Sequence, residues 1–316
     1  MRTVNVGYVL PEKKREKLKI EKCQTFQFSK CQFIVKEIDI IQSNGIVEGC
    51  DYVFHKINDL LYLENNSQIP LDEKVQIINN FFNKNKCIII DNQDSINLLQ
   101  NREQTLIKLA EVLKPPDSNI KTPWFVKCEE NSSTEYLLQK IKSSGISFPF
   151  IRKPIFAQCS EMRYDMSIYF NEEQIKSISD FKESIFQEFI DHNGILYKIY
   201  TIFNTWFVLK TSSFENMKQK GGYSPLHFRS DMLHVSKQTM EILYSSQEPI
   251  KNEMYESFGK ISALLREKFN CNLIGIDVII DKNRSTYYII DVNYFPSYKH
   301  IGSFLSNLIN ELCSLS

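Results

Sequence analysis

At 316 residues with 42% apolar side chains, the chain exceeds one comfortable hydrophobic core and has the material to fill two or three. Its 38 basic and 38 acidic residues cancel to a formal net charge of zero, which argues against a protein that coats nucleic acid and requires any anion site to be a local gathering of Lys, Arg and His. Eight cysteines are scattered without a CxxC pair, no signal peptide is present and no apolar run is long enough to span a bilayer, so reduced thiols and a cytoplasmic setting are expected.

The chain opens with a strand, VNVGYVL, and a positively charged segment, PEKKREKLKIEK. Apolar runs at FIVKEI, DYVFHKI and CIIIDN follow, with a helical period over DEKVQIINNFFNKN, and this alternation predicts a small parallel sheet in an N-terminal α/β domain over residues 1–95. REQTLIKLAEVL then reads as a helix stopped by Pro115 and Pro116. A strand near Trp124, a helix over STEYLLQKIKSSG and the strands FPFIRKP, DMSIYF, ESIFQEFI and GILYKIYTIF form an expected central unit, 96–203. The remainder, 204–316, holds TWFVLKTSS, a polar loop at KQKGGYSP, the helix KNEMYESFGKISALLREKF and a final pair of strands. The closing SFLSNLINELCSL reads as an amphipathic helix, which is preferred over a prenylation box at Cys313 because no polybasic segment precedes it.

That final pair, LIGIDVIID and STYYIIDVN, is β-branched and aromatic on both sides of a polar DKNR turn, so an antiparallel ribbon is expected. Asp277 lies inside the first apolar run, where a bare carboxylate would cost several kcal/mol unless paired or metal-bound. Asp291 and Asn293 are two apart and face one side of the second strand. Each alone has a plainer reading, Asp277 as a hydrogen bond to a neighbouring strand or loop and Asp291 and Asn293 as the start of a turn before Pro296. Together, three hard oxygen donors without clustered Cys or His suit Mg²⁺ held jointly with a phosphate.

Candidate cations are spread along the chain. Lys153 precedes Pro154 at the end of an apolar strand, a position that suits either a surfaced strand end or a reach toward a nucleotide phosphate. The run SIFQEFI is either an ordinary edge strand or one whose backbone reads an adenine edge. Lys210 and Ser212 point the same way. Lys14, Arg102 and Lys198 taken singly read as solvated surface, whereas His55 and Lys56 end an apolar strand, where α/β sheets gather ligands.

GYVLPEKK, VFHKI, FPFIRKP, QEFIDHNGILYK, GIDVIID and IIDVNYFPSY, in that order and spacing, resemble the inositol trisphosphate 5/6-kinase family of the ATP-grasp fold over nearly the whole chain. The resemblance implies a three-domain α/β (α+β) ATP-grasp kinase that moves the γ-phosphoryl group of ATP to an inositol tris- or tetrakisphosphate. The hydroxyls implied are the 5- or 6-OH of inositol 1,3,4-trisphosphate and the 1-OH of inositol 3,4,5,6-tetrakisphosphate. It further implies Mg²⁺, two ions, on Asp277, Asp291 and Asn293. Contacts to ATP would come from Arg102, Lys153, Gln187, Glu188, Ile190, Lys210, Ser212 and Ser236. Contacts to the inositol phosphate would come from Lys14, His55, Lys56, Arg102, Arg163, Lys198, Asn293 and Ser297. Asp291, Lys153 and Lys198 would act at the reacting groups. The expected protein is a monomer that binds neither nucleic acid nor membrane.

Two departures from the family pattern bear on which hydroxyl is phosphorylated. AQCSEMRYDM stands where the family carries a Gly-rich loop ending in His, with Tyr164 at that His position and Arg163 beside it, and Ser297 stands where Gly is common. A carboxylate–amine ligase working through an acyl phosphate would share the same metal site, so the acceptor side decides between them: a polyphosphate needs Lys14, Lys56 and Lys198 to converge. A non-catalytic nucleotide-binding scaffold is disfavoured because it has no use for three buried oxygen ligands.

Overall fold

The computed structural model describes residues 2–62, 68–113, 119–157, 161–178, 181–216, 224–230, 241–245, 253–283 and 285–315. In the N-terminal region β1 (Arg2–Val9), β2 (Cys23–Gln27), β3 (Cys31–Glu37), β4 (Tyr52–His55) and β5 (Ile88–Ile90) form a five-stranded sheet in the order β2-β3-β1-β4-β5. β3, β1, β4 and β5 run parallel as expected, but β2 is an antiparallel edge strand. The charge-rich sequence before it hid it, because an edge strand need bury little.

The helices of this part of the chain are α1 (Glu12–Lys17), α2 (Ile57–Tyr62), α3 (Leu71–Asn83), α4 (Gln93–Gln100) and α5 (Arg102–Val112), of which α4 packs against α5 and against the third sheet. In α3 the buried Lys74, Ile77, Asn80 and Phe81 recur at three- and four-residue spacing, which gives one inward face. Asn92 and Asn101 cap α4 and α5 by accepting from the backbone N–H of Ser95 and Gln104. α5 matches its sequence pattern, while Pro115 and Pro116 lie outside the described residues.

Two further sheets interleave along the chain. β6 (Ile120–Lys121) belongs to the third sheet, whereas β7 (Phe125–Cys128), β8 (Phe150–Pro154), β9 (Asp165–Tyr169) and β10 (Ser184–Glu188) lie in the second with α6 (Thr134–Ser143) and α7 (Glu172–Lys176) between them in sequence. β11 (Ile195–Ile202) and β12 (Thr205–Ser212) form a hairpin of the third sheet, and β13 (Leu226–Arg229) crosses back to pair with β9. β14 (Glu241–Ser245), β15 (Leu273–Ile280) and β16 (Tyr287–Tyr294) complete the third sheet, with α8 (Glu253–Lys268) and α9 (Phe304–Leu315) packed against it. The orders are β13-β9-β8-β10-β7 and β14-β12-β11-β15-β16-β6.

GILYKIYTIF was expected in the central unit. As β11 it instead pairs with β12 and β15 in the third sheet, and β13 joins the second sheet from the far side of the expected boundary. Strand composition says that a segment will pair and leaves its partner open. The core follows this interleaving: one cluster joins Val4, Val6 and Phe54 of the first sheet to Ile276, Phe295 and Phe304 of the C-terminal part, while the second sheet has its own core around Leu137, Phe150 and Phe186.

Candidate active site

β15 and β16 pair antiparallel with Gly275 opposite Asn293 and Asp277 opposite Asp291, and the register shifts just after Asp277. The expected ribbon therefore brings the three oxygen-bearing side chains onto one short stretch of sheet. Asn293 Nδ2 donates to Asp291 Oδ2 at 3.0 Å, leaving the amide oxygen outside that bond. Lys198 on β11 stands opposite Asp277 and sets Nζ 3.2 Å from Asp277 Oδ2. Burial raises the pKa of Asp277, with the Lys198 ammonium opposing it; burial likewise works against the charge on Lys198, but Asp277 and Tyr200 leave that pKa above its usual value. At Gly275 a Cβ would stand 2.8 Å from the Pro296 ring, so only glycine lets β15 run beneath the segment that carries Ser297.

These groups stand where two cavities meet. A cavity of about 910 Å³ and a smaller one of about 300 Å³ share Lys198, Asp277 and Asn293 in their walls, together with Ala157 and Tyr164. The smaller cavity is a slot with Met166, Phe189, Ile190, Leu196, Phe228, Ile279 and Ile290 on its sides, dimensions and lining suited to a flat aromatic base. Gln187 is buried in its wall, and its Nε2 lacks a partner among the described residues. Such a donor can pair with an acceptor on a bound molecule or with water. Glu188 and Ser212 line the same slot.

Lys153 and Arg102 occupy its polar end with Asp291. Lys153 is buried on β8 and donates to the Ile290 carbonyl at 2.8 Å; burial pushes its pKa down to about 8, with Asp291 opposing. Arg102 is held by the carbonyls of Pro154 at 2.7 Å, Phe156 at 3.1 Å and Arg163 at 3.2 Å, with Nε 3.9 Å from Asp291. Its fork is thus spent largely on the loop after β8, and burial lowers its pKa.

The larger cavity gathers cations from the N-terminal region, from β13 of the second sheet and from β11 of the third. Lys14, Lys56, Arg163, Lys198 and Ser297 line it, as do Lys13, Lys17 and Arg229, which the sequence reading did not single out. Lys13 and Lys17 were findable, since their four-residue spacing puts them on one face of a helix. Arg229 carried no local signal. Lys56 is paired with Asp59 at 2.8 Å. Lys14 is buried, donates to the carbonyls of Phe295 and Pro296 and lies over the Phe295 ring; burial holds its pKa well below the ordinary lysine value.

Three expectations need correction or fall outside the description. His55 is completely buried and lines neither cavity: its Nε2 bonds the Asp91 carbonyl at 3.0 Å, its ring packs on Phe81, Phe82 and Tyr294, and burial drives its pKa to about 4. β4 is buried through Val53, Phe54 and His55, and Lys56, the first residue past its end, reaches the cavity. Lys210 is exposed and lines neither cavity, although Ser212, two residues on, does line the slot. Ser236 lies outside the described residues; Ser230 is the hydroxyl that lines the slot from that part of the chain.

The donor set suits a hard divalent cation. Asp277, Asp291 and Asn293 offer oxygens only, and no group of three His, Cys, Asp or Glu able to hold a metal exists among the described residues, so an all-protein cage is absent. A cation that completes its shell with phosphate oxygens matches this partial set.

Comparison with known proteins places this geometry. The chain is 28% identical to inositol-tetrakisphosphate 1-kinase of Danio rerio over 98% of this chain and 78% of that protein, and 26% identical to the Xenopus laevis enzyme of that name over the same shares. Among solved structures it resembles the Chryseobacterium gregarium RiPP-associated ATP-grasp ligase in complex with ADP and a leader and core peptide (TM-score 0.60, 12% identity, 100% of this chain and 98% of that one). It also resembles the D-alanine–D-alanine ligase of Bacillus anthracis (TM-score 0.52, 12% identity, 99% and 97% of the chains). At such identities these two structures speak to the fold, which is ATP-grasp. The profile of the inositol 1,3,4-trisphosphate 5/6-kinase ATP-grasp domain matches residues 115–314, and the chain belongs to that family.

Proposed function

We propose that the protein is an ATP-dependent inositol polyphosphate kinase. The observation that carries this reading is the junction itself: an apolar slot and a lysine-lined cavity share Asp277, Asn293 and Lys198 in their walls, with Asp291 opposite Asp277 on the slot side. Seven basic side chains line the large cavity against the three acids Glu12, Asp59 and Asp277, an excess suited to a polyanionic acceptor although the whole chain is neutral. A small carboxylate and amine, as a ligase would take, needs no such wall.

In this reading the adenine lies in the slot against Ile190, Ile279 and Ile290, with Gln187 satisfied by the base. Lys153 meets the phosphate chain and Arg102 braces the loop above it. Mg²⁺ held by Asp277, Asp291 and Asn293 would neutralise charge on the transferring phosphoryl group. Lys198 reaches both cavities, so it can contact the γ-phosphate and an acceptor phosphate. Lys14 and Lys56 hold the acceptor from the N-terminal region, and in this reading Asp291 accepts the proton of the attacking hydroxyl. Positioning and charge neutralisation carry most of such a reaction. We assign the 5- or 6-hydroxyl of inositol 1,3,4-trisphosphate and the 1-hydroxyl of inositol 3,4,5,6-tetrakisphosphate as first acceptors to test. Incubation with ATP, Mg²⁺ and a panel of inositol tris- and tetrakisphosphates should yield ADP together with resolved higher phosphates. ADP formation only with a carboxylate and an amine would move the ligase reading ahead.

Lys56 gives the cleanest test of the acceptor side, since Lys14 is also tied to the Phe295 and Pro296 carbonyls and its loss would disturb that backbone. Lys56→Ala should raise the KM for the inositol phosphate roughly ten- to a hundredfold and leave the KM for ATP within about twofold, the cost of one charge-assisted contact. A change confined to ATP would misplace the acceptor cavity.

Lys153 makes the ATP side sensitive to pH. With its pKa near 8, the free protein carries the ammonium at neutral pH and loses it as pH rises through that value. A bound triphosphate favours the charged form and moves the transition upward. Therefore kcat/KM for ATP should fall about tenfold per pH unit above pH ~8, while kcat holds to higher pH. Lys153→Arg should remove the limb, and a flat kcat/KM profile through pH ~9.5 in the wild type would count against the role.

A further inference from the structure

Tyr164, which stands at the position of the family's loop His, and Arg163 beside it have a third companion. β13 pairs with β9 so that Arg229 faces Asp165, and Ser230 N donates to the Tyr164 carbonyl at 2.9 Å, so the backbone fixes Arg229 beside Tyr164. The guanidinium carbons of Arg163 and Arg229 lie 4.6 Å and 5.6 Å from the centre of the Tyr164 ring. Arg163 Nη2 donates to the Tyr164 hydroxyl at 2.9 Å, whereas Arg163 Nη1 is buried without a partner among the described residues. Both arginines line the large cavity together with Lys198. The ion pair between Arg229 Nη1 and Asp165 Oδ1 is long, at 3.5 Å, and both side chains are more than a third exposed, so water screens it.

Two guanidinium groups gathered on one phenol ring repel each other, and a buried N–H left unpaired is costly. An oxyanion shared between them relieves both conditions and matches the planar fork of arginine. We propose that Arg163 and Arg229, braced by Tyr164, form a phosphate subsite for the acceptor, distinct from the Lys14 and Lys56 group, and that Arg229 thereby helps select which pattern of phosphates around the ring is accepted. This rests on the kinase reading above. The subsite comes from the second sheet, whereas Lys14 and Lys56 come from the N-terminal part, so the two groups read different phosphates of one acceptor.

The test compares wild type with Arg229→Ala, Arg229→Lys and Arg163→Ala on inositol bis-, tris- and tetrakisphosphates, by initial rates and by calorimetric titration of the same compounds and of ADP. In Arg229→Ala, the KM and Kd of acceptors bearing the engaged phosphate should rise roughly ten- to a hundredfold. Those of panel members lacking it should change less than about twofold, as should the KM for ATP and the Kd for ADP, while Arg229→Lys keeps the charge, loses the fork and falls between. An equal rise for every acceptor, or a rise confined to ATP and ADP, overturns the subsite. Wild type that binds the panel without turnover removes the kinase reading, and the isomer dependence of binding in the variants then decides the subsite alone. Wild type that binds none of the panel overturns both. Should Arg229→Ala fail to fold, Arg229→Lys carries the same comparison.

Discussion

Asp291→Ala should lower kcat by roughly 10²- to 10³-fold or more while the protein melts within about 2 °C of wild type. The expectation comes from where the carboxylate stands. Asp291 faces Asp277 across the ribbon, receives the Asn293 amide and lies 3.9 Å from Arg102 Nε, at the mouth of the slot that also holds Lys153. Its removal deletes one proposed oxygen ligand, frees Asn293 to turn and leaves Arg102 without its nearest counter-charge. The side chain is a fifth exposed and belongs to the site rather than the core, so folding should tolerate the change. Calorimetric titration with Mg²⁺ and a non-hydrolysable ATP analogue should show weakened binding. Near-normal kcat at saturating ATP and Mg²⁺ would refute the metal assignment.

The second large effect is on stability and lies away from the junction. Asp91→Ala should cost about 3 to 5 kcal/mol and lower Tm by several degrees, on the order of 5 to 15 °C. Asp91 is 1% exposed at the end of β5 and accepts from Asn272 N at 2.7 Å, Asn272 Nδ2 at 3.0 Å, Leu273 N at 2.9 Å and Cys271 Sγ at 3.3 Å. One carboxylate therefore ties the first sheet to the start of β15, the strand that carries Asp277. Truncation strands those backbone donors in the interior, where water cannot replace the lost acceptor. Asp91→Asn retains one acceptor and should fall between the two. Equal Tm values for wild type and Asp91→Ala would show that the link contributes nothing.

Much of the site was legible before any coordinates. The ribbon from Leu273 to Asn293 follows from two β-branched runs around a polar turn, and the two-residue spacing of Asp291 and Asn293 puts both side chains on one face. The helices α3 and α5 and the strand carrying Lys153 likewise follow from local pattern. Such features depend on neighbours within one turn of helix or two residues of strand, and a linear sequence displays those directly.

Only the tertiary structure decided which distant residues meet. β11 was recognisable as a strand, yet its placement beside β15, which brings Lys198 onto Asp277 across 79 residues, depends on a choice of partner that composition does not encode. His55 and Lys56 are adjacent in sequence and have opposite fates, because His55 is the last residue of a buried strand and packs in an aromatic core, while Lys56 follows the strand end and lines the large cavity. Arg229 had no signal in the sequence, since its position beside Tyr164 exists only through the pairing of β13 with β9 across 64 residues. By itself the sequence determined where the final ribbon and several helices and strands lie and offered a set of candidate ligands; packing and strand register determined which of those candidates share a cavity, because the free energy that selects partners lies in burial and ladder hydrogen bonds between segments far apart in the chain.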